Sequence, residues 1–172
     1  MDATELALVE IGGLFVRIER DGAQGMALRK GLPQRPPARF NRLGEDALYL
    51  SPDAESASVA IGGNVVEGET SRLLIRYHVE TCKVVDLRQE KSADLYELAR
   101  QPWRTPLERG EDPPSWTAAD IVRASGAVGL IDPSRRRPGL WHVTLFRWNA
   151  PGAPTVRVDG PPEPIVVQPD YR

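Results

Sequence analysis

The sequence predicts a single α+β domain built around a mostly antiparallel sheet. Three observations carry that prediction. Its 172 residues suit one domain with a sizeable core. Short apolar stretches with strand-like alternation recur along the whole chain. The helical stretches between them are too few and too unevenly placed for regular βαβ units. The composition, 41% hydrophobic and 27% charged, is too apolar for a disordered chain. No repeat, heptad or linker divides the sequence. The expected domain therefore covers residues 1–172, with its core at about 14–160 and a proline-rich tail at 161–172.

The elements follow in order. "LFVRIER" alternates apolar and polar residues from Leu14 to Arg20, the period of a strand, and places Arg17 on the same face as Phe15 and Glu19. The loop "RKGLPQRPPARFNRLGED" follows, where prolines 33, 36 and 37 bar both helix and central strand. "ALYLS" is a short strand. A helix then opens near Pro52, with Ser51 as its expected N-cap and Gly62-Gly63 as its stop. "SRLLIRYHVE" and "KVVDLR" read as two strands around "TCK". "SADLYELAR" is helical with Ser92 as cap, and "TAADIVRASG" is a helix capped by Ser115 or Thr117 and closed by Gly126. "AVGLIDPS", "LWHVTLFR" and "TVRVDG" supply the last strands. The tail "PPEPIVVQPDYR" is expected to lie over the surface.

Totals exclude several functions. A net charge of −2 gives no global attraction to nucleic acid or an anionic membrane. Cys82 is the only cysteine, so no intrachain disulfide and no four-cysteine zinc site can form. His78 and His142 are too few for a His-rich site, and no metal is expected. No stretch is long and apolar enough to span a membrane. The acidic start "MDATELALVEIGG" lacks a signal-peptide pattern, so the expected location is cytoplasmic.

Among candidate site residues, Arg39, Asn41 and Arg42 gather donors suited to phosphate or carboxylate oxygens. A solvated basic loop is the plainer alternative. Arg17, inside a half-buried strand, needs a partner, either structural or a ligand. Tyr49 reads as core with a satisfied hydroxyl. Ser134 ends a strand ahead of Arg135–Arg137, where a capped turn and a ligand contact compete. His142 reads as structural. There is no P-loop, no GxGxxG after a strand and no GxSxG elbow.

Taken together, these stretches resemble the RES domain family, named for its Arg, Glu and Ser. The matching pieces are Arg17 in "LFVRIE", the "GRWN"-like "ARFN" at 38–41, Tyr49 in "ALYLS", the helix "DAESASVA", and "GLIDPS" with Ser134 before "HVTLF". They span roughly residues 14–147. The resemblance implies an ADP-ribosyltransferase-like fold and the toxin of a bacterial toxin–antitoxin pair, one that cleaves NAD+ between nicotinamide and ribose with water or phosphate as acceptor. It also implies an antitoxin partner with an Xre-like helix-turn-helix domain. By the same resemblance, Arg17, Arg39 and Asn41 would hold phosphates or ribose, Tyr49 would line the nicotinamide pocket, and Ser134 would contact the nicotinamide side.

One position departs from the family pattern. The family glutamate falls eleven residues after the strand tyrosine, where this chain has Ala60. Loss of a carboxylate that stabilises developing positive charge removes on the order of 10²- to 10⁴-fold in rate. The expected function is therefore an NAD+-degrading toxin whose catalytic glutamate position holds Ala60. The alternatives are an inactive NAD-binding or antitoxin-binding module and a protein ADP-ribosyltransferase. NAD+ enters these readings as substrate, not as a cofactor, and homo-oligomerisation is left open.

Overall fold

The computed structural model describes residues 6–23, 25–62 and 65–169. Gly63, expected to help stop the first helix, and the last three residues of the tail lie outside the described residues.

A single long strand organises the sheet. β1 (Leu8–Glu19) pairs antiparallel along β3 (Ser71–Asp86), with a register shift between Ile11 and Gly13. β3 is continuous through "TCK", where the sequence reading placed a turn. Its alternating apolar residues Ile75, Tyr77 and Val79 are all buried, and β1 supplies a partner almost along its whole length. On its other side β3 meets β7 (Glu163–Val166), β6 (Val156–Val158) and β4 (Gly129–Pro133). The tail is therefore a paired strand rather than a loose surface segment, and Val167 just beyond it is buried.

The sheet continues from β4 to β5 (Trp141–Leu145) and ends on β2 (Leu48–Leu50), giving the order β1-β3-β4-β5-β2. The β3–β4 pair is parallel, because the chain returns through helices between the two strands. The sheet is thus mixed rather than mostly antiparallel. Gly129 permits the β4–β5 approach, since a Cβ there would lie 2.1 Å from the Thr144 carbonyl oxygen. Val16 and Ser51 exchange backbone hydrogen bonds of 2.8 and 2.9 Å, which joins the two outer strands of the order at one end.

The helices pack on the face of the sheet opposite Phe15, Ile75, Tyr77 and Ile131. α1 (Ala54–Ile61) packs through Ala57 on Val16, Ile18 and Leu74. Its N-cap is Asp53, whose carboxylate accepts from the Ser56 amide at 2.8 Å, and not Ser51, which belongs to the strand junction. Gly62 ends α1 in right-handed conformation. α2 (Ala93–Ala99) and α4 (Pro114–Ala124) bury Leu95, Ala118, Ala119 and Val122 against Val85 and Leu130, and the short α3 (Arg104–Glu108) lies between them in sequence. Ser92 sits at the N-cap of α2 without a capping bond. α4 begins at Pro114 after Pro113, so neither Ser115 nor Thr117 caps it, and Gly126 closes it at φ +86. No helix among the described residues is long and apolar enough to cross a membrane.

Candidate active site at the strand junction

A cavity of about 520 Å³ opens where β1, the end of β2 and the end of β4 converge. Arg17 comes from β1, Arg39 from the proline-rich loop, Tyr49 from β2 and Ser51 from just beyond it, Ala57 and Ala60 from α1, and Asp132 and Ser134 from the end of β4. The structure thus brings five predicted positions, Arg17, Arg39, Tyr49, Ala60 and Ser134, to one wall system. Three further arginines, Arg104, Arg135 and Arg136, line it as well. Among the described residues, guanidiniums outnumber the one lining carboxylate, Asp132, so the cavity favours an anionic ligand.

Arg17 and Arg39 are held from behind. Arg17 Nε donates to Glu19 Oε1 at 3.0 Å, and its Nη1 donates to the Tyr49 carbonyl at 3.1 Å. The Tyr77 hydroxyl donates to the same Glu19 oxygen at 2.9 Å, and Glu19 is buried. The strand arginine therefore has a structural partner and still faces the cavity. Arg39 Nη1 donates to the Ala99 and Gln101 carbonyls at 2.9 and 2.7 Å, at the C-terminal end of α2. Burial, and then repulsion from Arg135, lowers its pKa to about 10, so it remains charged at neutral pH.

The loop carrying Arg39 has no regular structure, and α4 fixes it instead. Trp116 Nε1 donates to the Ala38 carbonyl at 2.8 Å, Arg123 to the Phe40 carbonyl at 2.8 Å, and the Ser115 hydroxyl to the Arg39 carbonyl. Phe40 is buried at the centre of this arrangement.

Two candidate ligand groups are structural. Asn41 is buried away from the cavity: its amide donates to the Pro36 and Arg42 carbonyls at 3.0 and 2.9 Å, and its oxygen accepts from Tyr49. Arg42 makes two 2.9 Å bonds to Asp120 and lies over the Trp116 ring. An arginine fork matched to a carboxylate satisfies itself within the fold. Tyr49 keeps its place at the cavity, but its hydroxyl is engaged by Asn41 and the Phe40 amide, and burial drives its pKa upward. It offers the cavity a ring rather than a free hydroxyl.

Ser134 both caps its turn, accepting from the Arg136 and Arg137 amides at 3.3 and 3.1 Å, and lines the cavity. Arg137 is not among the lining residues. Ala60 is exposed to the cavity, so nothing on α1 supplies a carboxylate there.

Sequence reasoning missed Ser51, Asp132 and His142. Alternation carried part of the signal, since Ser51 stands two residues from Tyr49 and Asp132 two from Ser134, on shared faces. His142, read as structural, also lines the cavity, with Nδ1 3.0 Å from Ser51 Oγ. Trp103, Arg104 and Thr105 arrive from the start of α3, which no motif marked.

Comparison with known proteins bears on this arrangement. A chain in the crystal structure of the M. tuberculosis MbcT–MbcA toxin–antitoxin complex has a similar fold, with a TM-score of 0.62 at 16% identity, covering 97% of this chain and 90% of that one. The comparison with curated proteins returns no match. The family model for the RES domain matches residues 14–168, from β1 through β7 and every wall of the cavity, and the chain belongs to the RES domain family.

Proposed function

We propose that this protein is the toxin of a bacterial toxin–antitoxin pair and acts by cleaving NAD+ between nicotinamide and ribose. The observation that carries the reading is the convergence of Arg17, Arg39, Tyr49 and Ser134 on one cavity rich in guanidiniums. Its volume of about 520 Å³ falls in the ordinary range for small-molecule sites. A pyrophosphate is matched by arginine forks, which Arg39, Arg135 and Arg136 supply, while Arg17 lies nearer the Tyr49 wall. The ring of Tyr49 provides a flat apolar surface for nicotinamide, and Ser134 a polar contact beside it.

Family membership and the similar fold of the MbcT–MbcA chain support the toxin reading. The partner on this reading is an antitoxin with an Xre-like helix-turn-helix domain that closes the cavity. Arginine-lined walls call for an acidic segment or a carboxylate terminus on that partner.

The second reading is a module that binds NAD+ or the antitoxin without catalysis, and Ala60 favours it. A third, protein ADP-ribosylation, differs in acceptor. One experiment separates them: purified protein is incubated with NAD+, and released nicotinamide, free ADP-ribose and labelled protein are measured together. Nicotinamide with free or phosphorylated ADP-ribose supports cleavage. NAD+ bound but intact supports the module, and label on protein supports transfer.

A further inference from the structure

The cavity holds a row of reactive side chains with no assigned role. Asp132 and His142 are direct partners in the β4–β5 ladder, so their side chains stand on one face with Cβ atoms about 5 Å apart. His142 in turn meets Ser51, whose Oγ lies 3.0 Å from Nδ1. β4, β5 and the residue that follows β2 thus place a carboxylate, an imidazole and a hydroxyl side by side. Asp132 is only 3% exposed, yet it lines the cavity and is the one carboxylate among the described lining residues. Arg135 Nη1 donates to its Oδ2 at 3.2 Å and fixes its orientation.

A purely structural Asp132–Arg135 pair is the plainer reading. That pair alone would not require Asp132 to line the cavity, within electrostatic reach of Arg39 and beside an imidazole.

We propose that Asp132 is the catalytic carboxylate of this pocket, acting from β4 where α1 carries Ala60, with His142 and Ser51 as positioning residues. The inference rests on the NAD+-cleaving reading. As the ribose C1′–N bond breaks, its electron pair leaves with the pyridine nitrogen and nicotinamide departs neutral. The ribose carbon becomes positive, and the Asp132 carboxylate offsets that charge. Water donates a lone pair to the carbon to form the new C–O bond. Its proton passes to Asp132 and then to solvent, so the products are nicotinamide, ADP-ribose and a proton. Nothing is oxidised or reduced.

The test follows nicotinamide release and NAD+ affinity for the parent protein, Asp132→Asn, Asp132→Glu and His142→Gln. The parent is expected to turn over NAD+. Asp132→Asn should lower turnover by about 100-fold or more while affinity changes less than about threefold. His142→Gln should shift the pH–rate profile of the parent, a change that a merely structural role would not produce. Parental turnover by folded Asp132→Asn overturns the proposal.

If Asp132→Asn does not fold, Asp132→Glu decides the matter, because it keeps the charge and moves it by one methylene. It should then slow turnover about tenfold or more, and unchanged turnover overturns the proposal. A parent that binds NAD+ but releases no nicotinamide removes the Asp132 role and leaves the NAD+ site standing. A parent that binds no NAD+ overturns the underlying reading as well.

Discussion

The Tyr49 hydroxyl donates to Asn41 Oδ1 at 2.6 Å and accepts from the Phe40 amide at 3.0 Å. A tyrosine on β2 therefore holds the tip of the loop that carries Arg39. The polar end of Tyr49 maintains the loop, and its ring faces the cavity.

Tyr49→Phe should therefore cost about 1–3 kcal/mol of stability, because it leaves a buried amide and a buried carbonyl oxygen without their partner. NAD+ affinity should change little, since the ring remains. Asn41→Ala should destabilise more, because it also removes the donors to Pro36 and Arg42. Urea denaturation and calorimetry on the same samples check both statements. Parental stability for Tyr49→Phe would contradict them.

Arg39→Ala should weaken NAD+ binding by about 1.5–3 kcal/mol, as for a charged hydrogen bond to phosphate. Arg39→Lys should recover little, because an ammonium does not reproduce the fork. Both variants also lose bonds to Ala99 or Gln101, so thermal melts must accompany the titrations. Equal affinity for all three proteins would remove Arg39 from the site.

Burial holds the His142 imidazole below its ordinary pKa of 6.5, with Arg135 adding to the effect and Asp132 and Asp53 opposing it. Below about pH 6.5 the unfolded chain binds a proton that the folded chain resists, so stability falls as pH drops through that value. Hydrogen bonds hold the Asp53, Asp86 and Asp120 carboxyls below their ordinary 3.8, and their loss acts only at lower pH. Melts between pH 7.5 and 5 should show a decline that His142→Gln flattens. An equal decline in both proteins would assign it elsewhere.

Ala60 faces the cavity and is exposed, so Ala60→Glu should fold with a melting temperature close to the parent. Neighbouring guanidiniums would keep the new carboxylate ionised. NAD+ consumption should rise, and in the Asp132→Asn background Ala60→Glu should restore it, since α1 and β4 reach the same cavity. Adding Arg39→Ala should abolish the gain. Nicotinamide release by the double variant no greater than by Asp132→Asn alone would disprove the exchange of carboxylates.

Binding of an acidic antitoxin segment should weaken as salt is added and should weaken again in Arg39→Ala. Surface plasmon resonance at low and high salt measures both effects. A complex insensitive to salt and to the substitution would dock on another face.

Much of the cavity lining is legible in the sequence because each piece carries a local signal. Arg17 stood out as a charge inside an alternating strand, and Tyr49 and Ser134 closed short apolar stretches before turns. Asn41 and Arg42 serve the fold for a physical reason: donors suited to a ligand are equally suited to carbonyls and to Asp120, and sequence does not show which lies nearer. The same limit hid the β7 tail, whose prolines punctuate a strand that pairs only because β3 presents a free edge beside β6.

Alternation, proline placement and motif order determined the α+β class, most strands and the family pattern, because these depend on neighbours along the chain. Only the tertiary structure decided how the ends of the sheet meet. The Val16–Ser51 bridge, the parallel β3–β4 pair and the Asp132–His142 register join residues from 16 to 142. Such contacts follow from packing and long-range pairing, which no local spacing encodes, and they turn scattered polar residues into one charged cavity.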